Sequence, residues 1–243
     1  ISGIVGWDGA VLTVEYNEIV NNSWHGVVLC LDASAVIMNN LIDGEGRWSQ
    51  EADGLDCSGI IVDCRARATI ERNYLRGYPG GITVAREADS VVRSNIVETM
   101  SDWGIAYIGA DWAPSRAIIT KNVVYDCASG IVIERRASQA PDDEPGRLTG
   151  NIVAHTAVDS VKSETRGEAI ALVAVPKGFV VRDNTCYGNA AIADSLDRDV
   201  PREMFWRARR QWTRTYRNTA VGVDGRHKFH ESAFLTRYGR WAD

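Results

Sequence analysis

The sequence is short of the features that mark several large protein classes. No apolar run approaches the roughly 18 residues that a membrane-spanning helix needs, which excludes a helical span. No CxxC spacing occurs, which argues against a zinc site or a thioredoxin-like redox motif. The five cysteines (Cys30, Cys57, Cys64, Cys127, Cys186) are an odd number and cannot all pair within one chain. Most read as small buried residues, with a Cys57–Cys64 pairing left open. A dominant charge is missing too: at −5 the net charge argues neither for nor against a nucleic-acid partner. The opening residues, Ile1-Ser2-Gly3-Ile4, carry neither the basic n-region nor the apolar h-region of a signal peptide.

What is present is a chain able to build a core. At 243 residues it is long enough for one large domain or two small ones, and its 45% hydrophobic content shows no sign of disorder. Two markers recur along it. Asparagine follows a β-rich run at Asn17, Asn40, Asn73, Asn95, Asn122, Asn151 and Asn184, with steps of 23, 33, 22, 27, 29 and 33. Glycine precedes Ile or Val at Gly3, Gly26, Gly59, Gly81, Gly104 and Gly130, with steps of 23, 33, 22, 23 and 26. Ala169-Ile170 and Ala191-Ile192 read as degenerate members. The unit is therefore 22 to 23 residues, and longer steps are that unit plus an inserted loop.

Three residues before each asparagine stand Val14, Ile37, Ile70, Val92, Ile119, Leu148 and Val181. Two residues after it stand Ile19, Ile42, Leu75, Val97, Val124, Val153 and Cys186. After each glycine the first and third positions are apolar, as in Ile60 and Val62 or Ile82 and Val84. Period two means one buried face. Three such segments per unit, with no room for helices between them, predict a coil of three parallel strands. Stacked on the next coil about 4.8 Å away, each asparagine amide can hydrogen-bond to its equivalent, and Asn also tolerates the left-handed backbone of a tight bend.

These N-x-[ILV] and G-[IV]-x-[VLIY] ladders resemble the pectate-lyase-like superfamily of right-handed parallel β-helices, over roughly residues 3 to 192. The resemblance implies an all-β solenoid of about 7–8 coils, with the asparagines at the bend between the second and third strands. The glycine-opened strand would be the first, whose outer face usually lines the substrate cleft. The ladders specify the fold and no single enzyme family within it.

The ladder begins at Gly3, leaving no room for a helix over the first coil. An uncovered coil exposes core and strand edges, so the chain is expected to be a fragment, a processed product, or a subunit capped by a second chain or a further copy of itself. Residues 193–243 read as a C-terminal extension that packs on or caps the solenoid. Within it, Pro201 and the spacing of Met204, Ala208, Trp212 and Tyr216 predict a helix over 201–217. The arginines around that stripe offer an alternative reading as a basic surface for an acidic glycan. Nucleic acid is not an expected partner.

Polysaccharide cleavage needs two carboxylates about a glycosidic bond, or a base with cations that stabilise developing charge. The densest candidate region runs from Arg47 to Arg65. There Asp53 and Asp56 are expected to act as acid/base or nucleophilic carboxylates and Asp63 to support them. Arg47 and Arg65 would bind acidic groups, and Trp48 would stack on sugar. Asp53-Gly54-Leu55-Asp56 looks like the N-T-D-G-x-D signature of polygalacturonase-type hydrolases, but no paired aspartates follow one coil on and no G-H-G or R-I-K motif occurs. At the equivalent edge of neighbouring coils stand His25, a candidate acid/base or hydrogen-bonding group, then Asp102 and Trp103, the latter either a sugar platform or a gap-filler. Lysine is scarce in the coils (Lys121, Lys162 and Lys177), which disfavours a lysine-based lyase. No metal or other cofactor is expected, apart from calcium at Asp142-Asp143-Glu144 as the alternative to a solvated loop.

Two positions after the glycines stand Val28, Ile61, Thr83, Ala106, Val132 and Ala171, a stripe with almost no charge. Such a stripe predicts cover, by the C-terminal segment or by another subunit. Two functions follow. One is a carbohydrate-active enzyme (hydrolase, lyase or epimerase) acting on a polysaccharide, with an extracellular or periplasmic setting favoured. The other is a non-catalytic β-helix serving as adhesin, tail-spike-like module or oligomeric scaffold.

Overall fold

The computed structural model describes residues 2–45, 57–109, 116–135, 146–156, 167–173, 179–189, 213–216 and 219–221. Within them the chain winds through three parallel sheets. The first stacks Ile4–Gly6, Val27–Leu29, Ser58–Val62, Gly80–Ala85, Trp103–Gly109, Ser129–Arg135 and Ile170–Val173. The second holds eight strands, from Val11–Glu15 to Phe179–Arg182 and Thr213–Tyr216. The third holds eight, from Glu18–Val20 to Thr185–Tyr187 and Thr219–Val221. All described pairings are parallel, and each strand pairs with its equivalent one coil away. This is the expected parallel β-helix, and parallel crossovers take the right-handed course. Among the described residues no helix is long and apolar enough to cross a membrane.

The alternating apolar positions fill the bore of the solenoid. The columns Val14 to Val181 and Ile19 to Cys186 are buried throughout. Each such aliphatic side chain contributes about 1.5–3 kcal/mol relative to exposure. Glycine opens the first strand of the early coils because nothing larger fits. A Cβ at Gly81 would meet the Gly104 carbonyl oxygen on one side and Val97 Cγ1 on the other.

The asparagine ladder lies where expected, between the second and third strands, and it is continuous. Asn17 Nδ2 donates to Asn40 Oδ1 at 3.0 Å, Asn40 to Asn73 at 2.9 Å and Asn73 to Asn95 at 3.0 Å. Asn95 then donates to Asn122, Asn122 to Asn151 and Asn151 to Asn184. Its role needs one correction. The left-handed backbone falls on the residue before each asparagine: Tyr16, Asn39, Arg72, Ser94, Lys121, Gly150 and Asp183. The asparagine itself is selected for hydrogen bonding. Its Oδ1 accepts the backbone N–H and the amide of the coil before, and its Nδ2 donates to a carbonyl that the bend would strand. Buried polar groups demand such partners.

One further expectation changes. At the other end, the helix expected over 201–217 gives way in its described part to the strand Thr213–Tyr216, paired with Phe179–Arg182. Thr219–Val221 then pairs with Thr185–Tyr187, so strands of an eighth coil lie beyond residue 192. The remainder of 201–217 lies outside the described residues. An open parallel edge offers unpaired N–H and C=O groups, and that outweighs a helical spacing of apolar residues.

Candidate functional site

The expected site residues that the structure describes, His25, Asp63, Arg65, Asp102 and Trp103, separate into two groups at opposite edges of the first sheet. Arg47, Trp48, Asp53 and Asp56 lie outside the described residues, as does the proposed calcium run at 142–144. The chain re-enters at Cys57 and Ser58, on the leading edge. There the strand register lines up His25, Ser58, Gly80, Trp103, Ser129 and Glu168, one per coil.

This leading-edge column is polar and internally bonded. His25 Nδ1 accepts the Ser58 N–H at 3.0 Å, which makes Nδ1 the unprotonated nitrogen. The Ser58 and Thr83 hydroxyls lie 2.9 Å apart, and Trp103 Nε1 donates to Thr83 Oγ1 at 3.1 Å. Trp24 stacks on His25 with ring centroids 6.1 Å apart and planes at 7°. At 53% exposure Trp24 presents an open aromatic face to solvent.

Of the two readings of Trp103, the structure supports the gap-filler. The ring is only 9% exposed and packs with Ala106, Val132 and Ala171, the stripe outside the first sheet. Ile61, Thr83, Ala106, Val132 and Ala171 are accordingly buried within the single chain. Asp102, beside Trp103, is buried at the corner, where its N–H donates to Pro79 O and its carbonyl accepts from Ser129 N–H.

Glu168 was not singled out by sequence reasoning, because the glycine of its coil is replaced by Ala169. The signal that could have found it is register: Glu168 is the residue before that degenerate marker, equivalent to Ser58 and Ser129. Gly167, left-handed at φ 77°, brings the chain back onto the solenoid, with its N–H on Ala128 O and its carbonyl accepting the Thr156 hydroxyl. The next side chain, Glu168, is 5% exposed, and its Oε2 has no hydrogen-bond partner among the described residues. Desolvation of the charged form pushes its carboxyl up to about 7.

The trailing edge holds Asp63 and Arg65. Asp63 is buried and gripped by Arg86: Nε donates to Oδ1 at 2.6 Å and Nη2 to Oδ2. Its Oδ1 also accepts the Cys64 N–H at 2.8 Å. Both oxygens are thus committed to holding a turn. Arg65 does not meet Asp63 or an open cleft. It forks onto Asp32 one coil back, at 2.9 and 2.7 Å, and reaches Glu87 one coil ahead at 3.7 Å. Arg65 holds the exposed Asp32 carboxyl below the usual range.

These residues occupy stacked turns of one kind. In Cys30-Leu31-Asp32-Ala33 and Asp63-Cys64-Arg65-Ala66 the last N–H returns to the first carbonyl, at 3.3 and 3.1 Å. Both central residues are left-handed, with φ of 50° and 62° in one and 48° and 64° in the other, a mirror-image type I turn. The stacking places Cys30 Sγ, Cys64 Sγ and an Asp63 carboxylate oxygen within 4.8 Å of one another. As a metal site this group is poor. Asp63 is already saturated by Arg86 and Cys64 N–H, and burial with Cys30 alongside pushes the Cys64 thiol up to about 12, against thiolate formation. The open Cys57–Cys64 pairing is not realised: Cys57 Sγ lies near Ser23 O, and the sulfur beside Cys64 is Cys30.

No curated protein and no solved structure matches the chain. A family model does, across residues 2–153, more than half the length. With three parallel sheets in register and an unbroken asparagine ladder, the chain belongs to the right-handed β-helix region family.

Proposed function

We propose that this β-helix acts on a polysaccharide, as a hydrolase, lyase or epimerase, along the leading edge of its first sheet. The observation that carries the reading is Glu168. A carboxyl that keeps its proton to about pH 7 has the property a general acid needs. Trp103 and Glu168 stand two coils apart in the same column, roughly 9.6 Å by strand spacing, and Asp102 beside Trp103 is the second carboxyl on this edge. His25 and the exposed Trp24 extend the track by a further three coils and supply a surface for a sugar ring. Asp53 and Asp56, in the segment that re-enters this edge at Cys57, are the loop carboxylates assigned to the same reaction, with Arg47 and Trp48 as substrate contacts.

The test is a panel of plant, algal and bacterial polysaccharides, read by reducing-end release and by absorbance near 235 nm for unsaturated uronate. Glu168→Gln is expected to lower turnover at least about 100-fold, and Asp53→Ala and Asp56→Ala to lower it without unfolding the chain. Unchanged turnover in Glu168→Gln would remove that residue from the mechanism.

The buried stripe favours a second reading, a non-catalytic adhesin or scaffold. The outer face on which such solenoids usually receive a polymer is here occupied by Trp103 and its neighbours. Inactivity on the whole panel together with a stable homo-oligomer by mass would favour this reading over the first.

A further inference from the structure

We propose that Cys30 and Cys64 are a built disulfide site, oxidised by a diffusible disulfide, that staples two coils at the trailing corner. The geometry is that of the stacked turns. Cys30 is the first residue of one turn and Cys64 the second residue of the next. One strand spacing combined with one residue step sets their Cα atoms roughly 6 Å apart, inside the range a disulfide spans. The two sulfurs already lie within 4.8 Å and interact directly. Cys57, Cys127 and Cys186 are buried in other coils, the first two against carbonyl oxygens.

The two thiols differ in access. Cys64 is partly exposed and Cys30 buried, so Cys64 meets the oxidant first. Its thiolate attacks one sulfur of the acceptor disulfide, forming a mixed disulfide and releasing one acceptor thiolate. Cys30 thiolate then attacks Cys64 Sγ, forming the Cys30–Cys64 bond and releasing the second. Two protons leave the protein with two electrons, and the acceptor is reduced to two thiols. A Cys64 thiol that ionises only near pH 12 attacks slowly at neutral pH and leaves slowly once bonded. That suits a lasting staple and not a catalytic couple. The neighbouring Asp63–Arg86 pair neutralises itself and holds the Cys64 backbone in place. The bond would close a loop of 35 residues, from 30 to 64, and this loop includes segment 46–56 with Asp53 and Asp56. The chemistry of the staple stands independently of the proposed reaction.

The test uses the whole chain, incubated with oxidised glutathione at pH 8 or with a reducing phosphine, then unfolded and alkylated. The oxidised sample is expected to show three alkylated thiols in place of five, a Cys30–Cys64 cross-linked peptide, and melting roughly 5–10 °C higher. Cys64→Ser and Cys30→Ser should each retain four alkylated thiols and show no difference in melting between the two conditions. Five alkylated thiols after oxidation, or a cross-link involving Cys57, Cys127 or Cys186, would overturn the proposal. So would stoichiometric zinc uptake by the reduced chain, abolished by Asp63→Ala, which would mark a metal site. Polysaccharide activity enters none of these readouts, so failure here and failure of the enzymatic reading are separable.

Discussion

Replacing Asn95 with alanine isolates what one interior rung of the ladder contributes. Asn95 Nδ2 donates to Ile70 O at 2.9 Å, to Arg93 O at 3.1 Å and to Asn122 Oδ1 at 3.0 Å. Its Oδ1 accepts the backbone N–H and the Nδ2 of Asn73, both at 3.0 Å. Alanine removes all of these. It strands the Asn73 N–H in a buried bend, a loss of about 1–3 kcal/mol, and forfeits hydrogen bonds of about 1 kcal/mol each. The expected destabilisation is about 3–5 kcal/mol. Asn17 is the control. It is exposed, and among the described residues its amide donates to Glu15 O and Asn40 Oδ1, so Asn17→Ala should lose about 1 kcal/mol. Urea unfolding followed by far-ultraviolet circular dichroism measures both. Solenoid stability is a sum of neighbouring units, so amide exchange at Asn73 should also quicken in Asn95→Ala. Equal losses in the two variants would refute the ladder as a cooperative hydrogen-bond column.

Glu168 makes stability pH-dependent. Its folded carboxyl, near 7, lies above its ordinary 4.5, so the native state holds the proton more tightly and stability falls as pH rises from 4.5 to 7, then levels. Glu168→Gln should erase that slope and, discounted for solvent screening, gain on the order of 2 kcal/mol at pH 8; a slope that survives the substitution contradicts the assignment. Asp63→Ala should lose about 2–3 kcal/mol, since it frees Arg86 and the Cys64 N–H, yet leave turnover per folded molecule unchanged; a selective loss of turnover would assign Asp63 to the reaction. Gly81→Ala should lose about 1–3 kcal/mol by overpacking against Gly104 and Val97, visible as a lower melting temperature; no change in melting would show that the coils can part.

The coil was legible because a solenoid writes its tertiary contacts as a period. Residues some two dozen apart become vertical neighbours, so Asn40 above Asn17 and Ile60 beside Val27 follow from counting alone. Side-chain pairings at the corners were not legible in this way. Asp63 and Arg65 sit two residues apart in sequence, yet one holds Arg86 on the coil ahead and the other Asp32 on the coil behind. Which partner each takes depends on the turn's left-handed residues, which carry no composition signal when Leu31, Cys64 or Arg65 adopts them. By sequence Trp103 reads equally as a sugar platform or a gap-filler, and only three-dimensional packing lays it over Ala106 and Val132. Glu168 needed the register across a degenerate rung before it stood in a column with Ser58.

The order of residues thus determined the winding, the ladder and the buried faces, because each is a local pattern repeated at a fixed interval. The tertiary structure alone decided protonation, pairing and cover. Those depend on which charges and rings converge at a corner after the chain has travelled a full coil, and no interval in the sequence encodes that convergence.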